Sequence, residues 1–133
     1  MQIPVVRFNR DASAFSKTLK ARVDAYFEES GRSRKGDWRL HVKSVSMIAL
    51  FFVPWALFAF GTIGGGPWFW VAEVAMGFGL AGIGLNVMHD ANHGSYSKSK
   101  KVNNIVGRVL DLVGGSAALW RIQHNVLHHS FTN

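Results

Sequence analysis

Cysteine is absent from all 133 residues, which excludes disulfides and any metal site built on thiolates. Charge is absent from the whole run Val45–Phe60, and Glu73 is the only ionisable side chain between Val45 and Met88. No short apolar run with a small-residue cleavage site follows the charged N-terminal segment, so a signal peptide is not expected. Hydrophobic residues make up 48% of the chain and aromatics 13%, but they concentrate between Val45 and Met88, while the first 43 residues are polar and basic. Such segregation describes a membrane protein, not a globular core. The net charge of +7 would suit nucleic acid if it gathered on one face of a soluble domain. Here it is divided around the apolar segments, and nucleic acid is not an expected partner.

The expected fold is all-α and integral to the membrane: a helical hairpin of two spans with cytosolic amphipathic or interfacial helices. Residues 1–43 form the cytosolic N-terminal segment. Within it Phe15, Leu19, Val23, Tyr26 and Phe27 recur at helical spacing from Ala14 to Glu29. Asp11 or Ser13 can cap that helix and Gly31 can end it. Arg32 to Lys43 is a basic linker. The first span is placed at 44–64, about the 20 residues a bilayer requires, with Pro54 as a kink that neighbouring spans tolerate. Gly64-Gly65-Gly66-Pro67 is an uncharged turn, and the second span is placed at 68–88, with Trp68 and Trp70 in an interfacial belt. Glu73, about one turn inside, needs a partner or a route to the interface. Ten of the 15 Lys and Arg precede the first span and five follow the second, so both ends are expected in the cytosol.

Gly77-Phe78-Gly79-Leu80-Ala81-Gly82 matches the dinucleotide fingerprint G-x-G-x-x-G, but that motif needs a preceding strand and a helix opening at the glycines. Within an apolar run, Ala75/Gly79 and Gly77/Ala81 read instead as small-residue pairs that let membrane helices approach closely. Ser95 to Lys101 is a polar, basic loop. Val102 to Leu119 carries Arg108, Asp111 and Gly114-Gly115, which makes it a poor span; it is expected to lie along the interface and return toward the first.

Five of the six histidines fall in two boxes, His89 with His93, and His124 with His128 and His129. Side chains four apart share one α-helical face, so each pair can aim two imidazoles at one point. His129 points about 100° further round and reaches a second point, which suits two neighbouring metal ions. Imidazole suits zinc, copper, iron and nickel. Zinc hydrolysis of the H-E-x-x-H type needs a glutamate where this chain has Asp90. Haem held between spans needs histidines inside the bilayer, whereas these lie at or beyond the end of a span. A paired iron site for oxygen activation fits best, because oxidising an unactivated methylene exceeds what side chains can do alone. A related di-iron hydroxylase and a non-enzymatic membrane metal-binding protein are the alternatives.

The chain resembles the membrane fatty acid desaturase family, and within it the bacterial acyl-CoA (linoleoyl-CoA-like) desaturases. The resemblance is carried by Met76–Gly84, by His89-Asp90-Ala91-Asn92-His93-Gly94 with Tyr96-Ser97-Lys98, by Gly114-Gly115-Ser116, and by Trp120–Asn133. It implies that residues 44–133 are the N-terminal part of a desaturase domain with histidine boxes at 89–93 and 124–129. It implies an integral membrane enzyme that introduces a cis double bond into a fatty acyl chain, as acyl-CoA or acyl-lipid. O2 and two electrons from a cytochrome b5 or ferredoxin type donor would be consumed at a site holding two iron ions. His89, His93, His124, His128 and His129 match the family's iron ligands; Asp90, Asn92 and Gln123 are candidates to orient them. The bacterial inner membrane is the expected location, with both boxes on the cytosolic side. The family's third histidine box has no counterpart here, so the 133 residues are expected to be a fragment without desaturase activity of their own.

Overall fold

The computed structural model describes residues 13–129, and every regular element among them is helical. Helix α1, Ser13–Ser30, stops where Gly31 takes a left-handed φ of 61°. Asp11, one of its two expected caps, lies outside the described residues. The apolar stripe of α1 (Phe15, Leu19, Val23 and Tyr26) is exposed along its length.

Helix α2, Trp38–Ala59, begins six residues before the expected start of the first span. Asp37 is the reason: its Oδ1 accepts from the backbone N–H groups of Arg39 (2.9 Å) and Leu40 (3.4 Å), so the helix is capped ahead of its apolar run. It ends at Ala59 rather than reaching Gly64, and Gly61 follows with φ 67°. Helix α3, Pro67–Gly82, opens with proline at a position where the missing N–H costs nothing. It continues without a break through a π-helical segment, Ile83–Val87, into α4, Met88–Asn92. The second long helix therefore ends at Asn92, not Met88, and its last turn carries His89.

Both long helices are sufficiently long and apolar to cross a membrane: 22 residues for α2 and 26 for Pro67–Asn92. At 1.5 Å per residue they measure roughly 33 and 39 Å, against a hydrocarbon core of about 30 Å. They form an antiparallel hairpin whose contact is made by small residues. A Cβ on Gly79 would stand 2.5 Å from the backbone nitrogen of Phe51, and one on Gly82 would stand 2.3 Å from Met47 Sδ. Pro54 has no N–H for the carbonyl of Leu50, and Gly79 lies against that same residue. Gly79 thus serves the expected close approach. Gly77 and Ala81 do not: they are exposed, and nothing lies within 4 Å of a Cβ placed on Gly77. The glycines of the fingerprint sit inside a helix, so the nucleotide motif has no structural counterpart. Glu73 is exposed on α3.

The segment after the first box is not one interfacial helix but three short ones. Helix α5, Lys100–Gly107, is followed by α6, Val109–Leu112, and α7, Ala117–Trp120. Gly114 turns the chain with φ 88°, and Asp111 Oδ1 then accepts the N–H of Ala117 at 2.7 Å. A second π-helical segment, Arg121–His128, carries the second box. The buried apolar residues Ile83, Val87, Met88, Ala91, Tyr96 and Ala117 gather at this end of the hairpin. The firmest packing lies directly beneath the histidines.

Candidate metal centre

His89 stands in the first turn of α4, and His93 is its C-cap residue. Gly94, with φ 71°, ends the helix just behind His93. The chain is then pinned back: the carbonyl of Asp90 accepts the N–H groups of Ser95 (2.9 Å) and Tyr96 (3.2 Å) and the hydroxyl of Ser95 (2.9 Å). Asn103, buried on α5, closes the loop with both amide atoms, accepting from Ser97 N at 2.8 Å and donating to Ser97 O at 2.9 Å. These bonds fix where α5 starts, and hence where the chain returns.

The return is locked at Asn92. Arg121 donates from Nε to Asn92 Oδ1 at 2.8 Å and from Nη2 to Asn104 Oδ1 at 3.3 Å. Asn125 Nδ2 donates to the backbone oxygen of Asn92 at 3.2 Å, and Asn92 Nδ2 donates to the carbonyl of Gly107 at 3.4 Å. Gly107 leaves the necessary room, because a Cβ there would meet Asn92 Oδ1 at 2.3 Å. One asparagine therefore joins the end of the first box to the start of the second and to the intervening helix.

His89, His93 and His124 meet at this junction, with one ring nitrogen of each lying within 4.8 Å of the others. Their ring centroids are 4.5 Å apart for His89–His93, 5.1 Å for His89–His124 and 5.0 Å for His93–His124. Trp120 stacks on His124 at 4.2 Å with planes inclined by 16°, and meets His89 and His93 edge-on. His89 Nδ1 lies 3.4 Å from Asp90 Oδ1, which leaves Nε2 free to ligate.

The π-helical turn changes how the second box is presented. The N–H of His129 bonds to the carbonyl of His124, five residues back. Residues five apart then come into line, and the His129 ring lies 4.9 Å from His124 and 5.0 Å from His93. His128 approaches only His124, at 5.0 Å, and His129, at 5.4 Å, among the ring contacts of the described residues. The α-helical expectation holds for His128, which stacks alongside His124, but not for His129, which is turned toward His124 and His93 rather than away. A matching π-helical bond joins Met88 N to Ile83 O just ahead of the first box.

Residues 66–133 match the family model described as fatty acid desaturase. The chain belongs to the fatty acid desaturase family. It is 36% identical over 119 residues to an sn-1 linoleoyl-lipid 6-desaturase of Synechocystis sp., covering 90% of this chain and 33% of the relative. It is 35% identical over 127 residues to an acyl-lipid (8-3)-desaturase of Physcomitrium patens, covering 90% and 25%. Over 61 residues it is 50% identical to an acyl-lipid (7-3)-desaturase of Rebecca salina, covering 46% and 14%. The chain spans about a third of the length of the first of these relatives. No solved structure matches it.

In this member of the desaturase family, two of the clustered imidazoles are shifted toward the neutral form. The pKa of His93 is lowered from 6.5 by burial and then by His89 and His129, against an opposing pull from Asp90. That of His124 is lowered by burial and then by His129, His89, His93 and His128. Three imidazole nitrogen donors fit a borderline transition metal. Imidazoles on one ion at about 2.1 Å stand up to about 4.2 Å apart, and one ring nitrogen of each of the three histidines lies within 4.8 Å of the others. Sequence reasoning missed Arg121 and Trp120 as builders of the site. Arg121 adjoins the box and is the only cation between Arg108 and Asn133, a signal that was there to use.

Proposed function

We propose that the chain is the N-terminal part of a membrane-bound fatty acyl desaturase that introduces a cis double bond using O2 and two electrons at a di-iron site. The observation that carries this reading is the meeting of His89, His93 and His124, from two separate segments, at the end of a helix long enough to span a bilayer. His89, His93 and His124 would hold one iron, with His128 and His129 contributing to a pair. Bound iron would supply the oxidising power toward O2 that no side chain has. The relatives' names favour an acyl-lipid over an acyl-CoA substrate.

The chain's own residues would do the positioning. Arg121 and Asn125 hold the second box against Asn92, Trp120 fixes the plane of His124, and Asp90 orients His89. Residues 1–43 would form a cytosolic segment and 44–133 the start of the desaturase domain, with both boxes cytosolic and the 60–66 turn outside. An electron donor of cytochrome b5 or ferredoxin type would reach the site from that side.

The test is expression of the gene extended to the length of the relatives, in a host whose lipids are then analysed by gas chromatography and mass spectrometry. A new double bond that disappears in His93→Ala and His124→Ala supports the reading. A hydroxylated product, or a double bond that survives both substitutions, overturns it.

A further inference from the structure

Three cations outside the metal centre converge where α2 begins. Arg32, Lys35 and Arg39 line a pocket of about 370 Å³ together with Ser33, Asp37 and Trp38. The single carboxylate is already engaged, since Asp37 Oδ1 caps the N–H groups of Arg39 and Leu40. Arg34 lies outside the pocket and pairs with Asp24, and Lys43, the linker's last cation, donates to Asn86 Oδ1 at 3.0 Å. The pocket thus holds three positive groups against one carboxylate, an excess of positive charge.

Its position is fixed from two sides. Lys35 Nζ donates to the carbonyl of Gly94 at 2.8 Å, and Gly36 N donates to Ser95 O at 3.0 Å. Both acceptors lie in the turn immediately behind His93, so the pocket is tied to the end of the hairpin that carries the histidines. Trp38, the first residue of α2, is 67% exposed beside it, with the Arg39 guanidinium 5.6 Å from its ring. An exposed tryptophan at the mouth of a membrane-length helix belongs at head-group depth. Guanidinium groups bind phosphate through paired N–H bonds, and a lysine adds a point charge.

We propose that Arg32, Lys35, Arg39 and Trp38 form a binding site for a phosphate group at the membrane edge beside the histidine cluster. The depth set by Trp38 favours the head group of an anionic lipid over a phosphate carried in solution. The site stands independently of the desaturase reading, because it needs neither iron nor turnover.

The 133-residue chain, purified in non-ionic detergent, would be examined by native mass spectrometry with added phosphatidylglycerol or with phosphate-free diacylglycerol. The wild type should retain phosphatidylglycerol and not diacylglycerol. Arg39→Gln, whose guanidinium lies 5.6 Å from the Trp38 ring, should weaken retention about fivefold, and the triple Arg32→Gln, Lys35→Gln, Arg39→Gln variant on the order of a hundredfold. Control substitutions Lys98→Gln, Lys100→Gln and Lys101→Gln, in an equally basic loop, should leave it unchanged, with helicity checked by circular dichroism. Displacement of the lipid by inorganic pyrophosphate would assign the site to a soluble phosphate carrier; resistance to displacement would assign it to a head group. Equal retention by wild type and Arg39→Gln, equal binding of diacylglycerol, or an equal loss in the control would overturn the proposal.

Discussion

Imidazoles ligate metals only when neutral, and the crowding of rings around His93 and His124 favours that form of these two. His93 and His124 are pushed below the ordinary value of 6.5 by burial and then by their histidine neighbours. The sign follows directly. A lowered pKa means the folded cluster resists protonation, so its contribution to stability is complete above pH 6.5 and declines as pH falls through the lowered values. In an NMR titration of the metal-free chain, His93 and His124 should take up protons only below pH 6.5. Ferrous iron bound at neutral pH should be released over the same acid range, since protons and metal compete for the same nitrogens. Titration of either ring above 6.5 would contradict the geometry that crowds them.

Asn92 matters as much as any ligand, because three of its neighbours (Arg121, Asn125 and Gly107) bond to it. Asn92→Ala removes the Oδ1 acceptor for Arg121 Nε and the Nδ2 bond to Gly107, loosening the second box while its bond to the Asn92 backbone and every histidine remain. Metal affinity should fall about 10- to 100-fold, as it does when groups supporting a ligand are lost. Calorimetric titration with Fe2+ or Co2+ checks this, and unchanged affinity would mean the histidines hold their places unaided.

Among the elements, the two long helices were legible from uncharged runs and the first box from its spacing. Their ends were not, because ends depend on particular caps. Asp37 starts α2 ahead of the apolar run, and the helix after Pro67 does not stop where hydrophobicity does but at Gly94. The π-helical segments were not legible either, since a period of five requires a backbone bond that residue type alone does not signal. That is why the approach of the His129 ring to His93 was not foreseen. Choosing between two small-residue pairs was likewise beyond pattern reading, as both had the same spacing; only the packed hairpin shows that Gly79 faces α2 and Gly77 does not. Gly79→Leu should therefore destabilise the hairpin by about 1–3 kcal/mol or more through overpacking. Gly77→Leu should have little effect. Thermal unfolding in detergent separates them, and equal sensitivity would mean that the two helices meet on another face.

For the molecule as a whole, the metal centre and the membrane topology depend on each other. The two boxes can meet only if α5, α6 and α7 keep to one side of the bilayer, and the structure breaks that stretch at Gly107 and Gly114 into pieces too short to cross. With 10 of the 15 Lys and Arg ahead of residue 44 and none from residue 60 to 66, the histidine side should be the cytosol. The absence of native cysteine makes the test direct. Single cysteines at Ser33, Gly65 and Ser99 can be probed with a membrane-impermeant maleimide in intact cells and again after lysis. Only the Gly65 position should label in intact cells, and all three after lysis. If Ser33 and Ser99 label oppositely, the hairpin is wrong. If both label from outside, the hairpin survives but the cluster faces away from cytosolic electron donors, and the proposed redox chemistry loses its supply.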